Sequence, residues 1–121
     1  MFGFLNKIKN KIKKNDENNP EYRLGFARRI AWKKIKYVSE RTLDPETGEI
    51  VDSVIGKNGF FSMDKNDELS VYCGGEELFR AYVPELLGYE FLSLEGAVLE
   101  GFDLVSERLR IIIVYYIYHR K

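Results

Sequence analysis

One cysteine, Cys73, and one histidine, His119, set the limits on covalent and metal chemistry in this chain. A Ser–His–Asp or Cys–His arrangement would have to use His119, two residues from Lys121, where chains usually fray. Cys73 precedes Gly74-Gly75, so an exposed turn is expected there. Its acidic neighbours Glu76 and Glu77 would raise the thiol pKa rather than lower it. A Cys/His zinc site needs four ligands and has only two such residues to draw on, so no metal and no cofactor is expected. Asp64-Lys65-Asn66-Asp67-Glu68 starts like a calcium loop, but lacks the glycine at the sixth position and the glutamate at the twelfth. A turn is the better reading. No glycine-rich phosphate loop precedes a helix. Carboxylates are plentiful without any spacing that marks a catalytic pair. No catalytic residue is assigned, and a non-enzyme is expected.

Binding chemistry is better represented. Lysines and arginines equal aspartates and glutamates at 19 each, yet the two signs are segregated. Residues 1–41 hold twelve bases against four acids, a net charge of +8, and residues 42–121 carry −8. Opposite blocks of this kind suit a protein that interacts, either with a partner or by folding its basic part back on its acidic body. The anion-binding candidates are Lys7, Lys9, Lys11, Lys13, Lys14, Arg23, Arg28, Arg29, Lys33, Lys34 and Lys36. Trp32 and Tyr37 interleave with the later bases and are the stacking candidates for a phosphate-backbone ligand. Lysines along an edge strand that deter edge-to-edge pairing would give the same pattern.

These residues must be positioned by local structure. At 100° per residue, Met1, Phe4, Leu5, Ile8 and Ile12 share one arc, with the five lysines of residues 1–14 outside it. That is a short amphipathic basic helix, too short to persist alone in water. Phe2, Phe4, Leu5, Ile8 and Ile12 are its expected interaction residues. It could dock on the chain's own sheet, on a partner or second copy, or on an anionic membrane surface. Its lysines interrupt any signal-like apolar run, so secretion is not expected. The polar joint Asn15–Pro20 follows. Residues 21–30 fit either a helix capped at Asn19-Pro20 or a strand, and a strand is expected from about Ala31 to Leu43, bulged near Lys33-Lys34.

The rest reads as strand after strand. Asp44-Pro45-Glu46-Thr47-Gly48 turns Lys34–Leu43 into Glu49–Ile55. Strands follow over Gly59–Met63, Glu68–Cys73 and, past the Gly74-Gly75 hairpin, Glu76–Tyr82. Val83–Gly88 is a helical turn, Tyr89–Phe102 a long strand bulged at Gly96 and Gly101, Asp103–Glu107 a turn, and Arg108–His119 the last strand. This last strand is apolar on both faces and must be central or covered, and the residue 1–14 helix could supply that cover. The longest apolar run, Ile111–Tyr118, is far short of the ~20 residues a membrane span needs.

The chain of 121 residues is therefore expected to be mainly β. It should form a small antiparallel barrel or roll of six or seven strands with an N-terminal amphipathic helix. Residues 1–19 would form the helix and joint, and 20–121 one β-rich domain. The expected core is Trp32, Ile35, Tyr37, Ile50, Phe60, Val71, Phe79, Phe91, Leu94, Val98, Phe102, Ile111, Ile113 and Tyr115. The expected function is a non-catalytic protein-interaction or scaffold module that uses the helix and a sheet edge to join a protein partner or itself. The alternative is an anion-binding module for a membrane surface, nucleic acid or a phosphorylated ligand. A cytoplasmic location is expected, peripheral to the membrane under the alternative.

Overall fold

Asn19 accepts a 2.8 Å hydrogen bond from the Glu21 amide, Pro20 opens the first turn and Arg28 and Arg29 sit in the last. These signals make residues 20–30 a helix, α1 (Pro20–Ile30), which buries Phe26, Ala27 and Ile30. In the computed structural model, which describes residues 19–117, this helix precedes seven strands. They are β1 (Lys34–Leu43), β2 (Ile50–Met63), β3 (Glu68–Cys73), β4 (Glu76–Tyr82), β5 (Leu87–Glu90), β6 (Gly96–Asp103) and β7 (Arg108–Tyr116). A 3-10 turn at Val83–Glu85 links β4 to β5. The amphipathic helix expected over residues 1–14 lies outside the described residues.

All strand pairs are antiparallel, in the order β4-β3-β2-β1-β7-β6-β5. The sheet curls into a half-barrel, the mainly β architecture expected. Turn chemistry explains the hairpins. Gly48 takes φ 74° while Asp44 Oδ1 accepts from the Glu46 amide, and Gly74 and Gly75 take φ 59° and 81° between β3 and β4. Strand β7 is central between β1 and β6, as its two apolar faces require.

The hollow of the half-barrel holds the core. Phe26, Ala27 and Ile30 of α1 meet Ile35, Val38, Phe61, Leu69, Val71, Phe79, Leu99, Ile112, Val114 and Tyr116. Ile35, Val71 and Phe79 are thus core as expected. Several expected core residues are not. Trp32 falls in the turn after α1 and is 74% exposed, and Ile50, Phe60, Leu94 and Phe102 are exposed as well. The alternation assigned to β7 was read with the wrong face inward: Ile112, Val114 and Tyr116 fill the core, while Ile111, Ile113 and Tyr115 point outward. Ile113 is still buried, but by neighbours on the outer surface. The segments expected as two strands, Glu49–Ile55 and Gly59–Met63, run together as β2, and the expected long strand Tyr89–Phe102 breaks into β5 and β6. Ladder irregularities lie at Ile35/Tyr37, Val38/Ser39 and Val71/Tyr72 rather than at Lys33-Lys34, Gly96 or Gly101.

Each end of the sheet is closed differently. Along β5, Phe26 of α1 packs against Gly88, and Arg29 Nε bonds Glu90 Oε1 at 3.1 Å. Along β4, the β6–β7 turn supplies the closure: the Arg80 amide donates to Asp103 Oδ1 at 2.9 Å and the Leu104 amide to the Arg80 carbonyl at 2.7 Å. Asp103 is fully buried and accepts five hydrogen bonds, from the Arg80, Val105 and Ser106 amides, Ser106 Oγ and Arg110 Nη1. Burial alone would raise its pKa, but the bonds from Ser106, the Arg80 amide, Arg110 and the Val105 amide outweigh that and bring it to about 2. Arg110 also grips Glu40 with two bonds, 3.1 and 2.9 Å, and caps the Leu78 carbonyl at 2.9 Å. This buried network draws β1, β4, β6 and β7 together.

Candidate interaction surface

The long strand β2 pairs with β1 from Ile50 to Phe60, but with β3 only from Gly59 to Met63. Among the described residues, the other side of Ile50–Asn58 has no strand beside it. The far side of β2 therefore has one row of main-chain donors and acceptors open along this run. Ile50, Val51 and Val54 along it are exposed, it contains no proline, and its acid, Asp52, is neutralised by Arg41 at 2.8 and 3.0 Å. That hydrogen bond to Arg41 is the main cause lowering the Asp52 pKa. Lys57 and the ladder irregularity opposite Val38/Ser39 guard the Ile55–Asn58 end of the run, whereas Ile50–Val54 has no lysine, proline or irregularity.

A second surface follows from register. On the outer face, Phe102 lies opposite Leu109, and Leu43 opposite Ile50. Extending the β1–β7 register beyond its last pair, Arg41 and Ile111, sets Leu43 beside Leu109, and both line one cavity of about 330 Å³ with Glu100, Arg41 and Ile111. This gives an apolar row, Phe102, Leu109, Leu43 and Ile50, of which Leu109 is 76%, Ile50 67% and Leu43 66% exposed. The next rows inward are Leu87, Glu100, Ile111, Arg41 and Asp52, then Tyr89, Val98, Ile113, Ser39 and Val54. An exposed apolar row across four strands is a feature of binding sites.

The basic and aromatic residues meet at the α1–β1 junction, only partly as expected. Lys33 Nζ sits 4.6 Å from the Trp32 ring centroid and 4.9 Å from that of Tyr116. Arg28, Lys34 and Lys36 are exposed nearby. Arg29 is paired with Glu90, and Arg23 donates to the Pro84 carbonyl at 2.6 Å, so these two act within the fold. Tyr37 stacks on Tyr115 with ring centroids 4.3 Å apart, which occupies one of its faces. The irregularity between Ile35 and Tyr37 turns Ile35 inward and Tyr37 outward, so the two do not share a face. Lys7, Lys9, Lys11, Lys13, Lys14, Phe2, Phe4, Leu5, Ile8 and Ile12 lie outside the described residues.

Cys73 is buried rather than exposed on its turn, and burial pushes its thiol pKa up. The Tyr116 hydroxyl donates to Glu90 at 3.3 Å, and burial, reinforced by that carboxylate, pushes the phenol pKa far up. Sequence reasoning missed the open β2 edge and the Asp103–Arg110–Glu40 network. The Asp103–Glu107 turn signal was visible, but burial of its first residue was not. No protein-family model matches the chain, and no curated protein matches it in sequence. Among the described residues no helix is long and apolar enough to cross a membrane.

Proposed function

We propose that this chain is a non-catalytic interaction module that assembles with a second copy of itself along the open edge of β2. The observation that carries this reading is the unpaired run Ile50–Asn58, with its exposed Ile50, Val51 and Val54. Strand addition to such an edge takes its affinity from main-chain hydrogen bonds and its fit from the flanking side chains. A lysine placed within Ile50–Val54 gives that stretch an ordinary edge defence. Light scattering of the full chain should show mass rising with concentration, and Val51→Lys should weaken the association at least tenfold. Raising salt should leave association of the unmodified chain nearly unchanged, because no ion pair drives it. A full chain that stays monomeric at all concentrations, or a Val51→Lys variant that assembles equally well, contradicts the proposal.

A second reading rests on the α1–β1 junction, where exposed Trp32 carries Lys33 on its face among Arg28, Lys34 and Lys36. This cluster suits an anionic surface, with the indole as the apolar element. Trp32 is the single tryptophan, so its fluorescence reports on this site alone. Vesicles rich in phosphatidylserine should shift its emission to the blue at low salt and lose that effect at high salt. No shift with anionic vesicles rules this reading out.

A further inference from the structure

Two stacked aromatic pairs stand on the outer face of the sheet, and from these and the lysines between them we infer that this face binds a single-stranded polynucleotide. The inference stands on the outer face and does not rest on assembly along the β2 edge.

Register builds the site. Phe61 and Val71 pair with each other and fill the core, so their paired neighbours Phe60 and Tyr72 face outward. These two rings stack with centroids 5.1 Å apart and planes at 16°, and Phe60 is 52% exposed. On the neighbouring strands β1 and β7, the Tyr37–Tyr115 stack stands on the same face. Tyr37 pairs with Lys57 of β2, and Lys34 of β1 pairs with Phe60. The two stacks are thus about 10 Å apart across the strands, with both lysines along the β1–β2 seam between them. Tyr37 gives one ring face to Tyr115, and Phe60 gives one to Tyr72, so their other faces turn toward that seam.

Strand order removes the other explanation of the lysines. Lysine on an edge strand deters pairing, but β1 lies between β2 and β7, so Lys34 and Lys36 guard no edge. Lys34, Lys36 and Lys57 are exposed, and none forms an ion pair among the described residues. The acids beside the stacks are engaged: Glu77, opposite Tyr72, accepts from Ser70 Oγ at 2.8 Å and pairs with Arg80, and Asp52 is held by Arg41. A cavity of about 530 Å³ opens beside Tyr37 and Tyr115, lined also by Lys36, Glu95, Tyr116 and Ile117. It is large enough to take one nucleotide, with Lys36 for a phosphate and Glu95 as acceptor for a base amino group. Single-stranded nucleic acid presents phosphates for the lysines and open base faces for the rings. A membrane surface supplies charge without a planar group to lie on the rings, and a duplex hides its base faces in its own stack.

Fluorescence anisotropy of a labelled oligodeoxycytidylate, twelve nucleotides long, titrated with the full chain at low salt tests this. Binding should saturate, and a duplex of the same length should bind at least tenfold more weakly. Phe60→Ala should weaken binding of the single strand at least fivefold, the lower end of the loss expected for one base stack. Lys34→Gln should weaken it too, and lower the slope of log affinity against log salt by about 0.7, the share of one phosphate contact on a single strand. Lys34→Gln leaves every core residue in place, so it tests the face even where Phe60→Ala loosens the β2–β3 ladder. A full chain that binds no single strand overturns the inference. Binding that neither substitution weakens also overturns it and assigns the strand to basic residues elsewhere on the chain. Equal affinity for the duplex overturns it by leaving the rings no part. Phosphatidylserine vesicles bound in a Phe60-dependent way, with no single strand bound, give the face to a membrane and overturn it as well.

Discussion

Replacing Asp103 by asparagine should destabilise the fold by about 3–5 kcal/mol, the usual loss when one partner of a buried charge pair is removed. The volume hardly changes, so the effect isolates the carboxylate. Its Oδ2 accepts three donors, the Ser106 amide at 2.9 Å, Ser106 Oγ at 2.6 Å and Arg110 Nη1 at 2.8 Å. Its Oδ1 accepts two, the Arg80 amide at 2.9 Å and the Val105 amide at 3.0 Å. Whichever way an asparagine turns, its amino group faces donors, and Arg110 keeps a buried charge with one carboxylate fewer. Denaturant titration should show a lower midpoint, and thermal unfolding a fall on the order of 15 °C or more.

The same group sets an acid limb. The Asp103 pKa is depressed from 3.8 to about 2 in the folded state. Because the folded value is the lower one, its contribution is complete above about pH 4 and disappears as pH falls toward 2. A shift of this size corresponds to roughly 2 kcal/mol. Glu40, whose pKa is lowered chiefly by its hydrogen bond from Arg110, contributes in the same direction. In Asp103→Asn the slope of stability against pH over that interval should flatten. An unchanged slope would remove Asp103 from the account of the β4 closure.

The second large effect is expected at glycines, with opposite signs. A Cβ on Gly59 would run into the Tyr72 carbonyl oxygen, with Cys73 Sγ 2.7 Å away. The oxygen belongs to the backbone of β3, held there by the pairing of Phe60 with Tyr72 and Gly59 with Cys73. It cannot swing aside as a side chain does. Gly59→Ala should therefore open the β2–β3 ladder and destabilise the protein by about 3 kcal/mol or more. Gly25, within α1, has nothing within 4 Å of its added Cβ. Gly25→Ala should stabilise the protein by roughly 0.5–1 kcal/mol through helix propensity and a less flexible unfolded chain. Chemical denaturation of the two variants side by side checks both signs.

Legibility in the sequence followed the range of the interactions involved. Turns made by adjacent residues were readable: Asp44–Gly48, Gly74-Gly75 and Asp103–Glu107 all appear where their side chains and glycines demanded. The centrality of β7 was readable as well, because an eight-residue apolar run permits little else. Which face of β7 points inward was not, since both faces carry isoleucine, and the choice is made by where α1 and β4 pack. Trp32 was assigned to the core on hydrophobicity, but α1 ends at Ile30 and leaves Trp32 in a turn outside the sheet. The β2 edge was equally hidden. It exists because β2 outruns β3, which depends on strand lengths set by distant partners. The outer row also arises only from register, joining Leu43, Ile50, Phe102 and Leu109 across four strands.

The central claim is that the free side of β2 is an assembly edge, and amide exchange over Ile50–Asn58 at rising protein concentration tests it most directly. The account predicts fast exchange for the outward-facing amides of this run in dilute protein, and protection that grows as the mass doubles. Exchange that stays fast in concentrated protein, or protection already complete in the monomer, would contradict it.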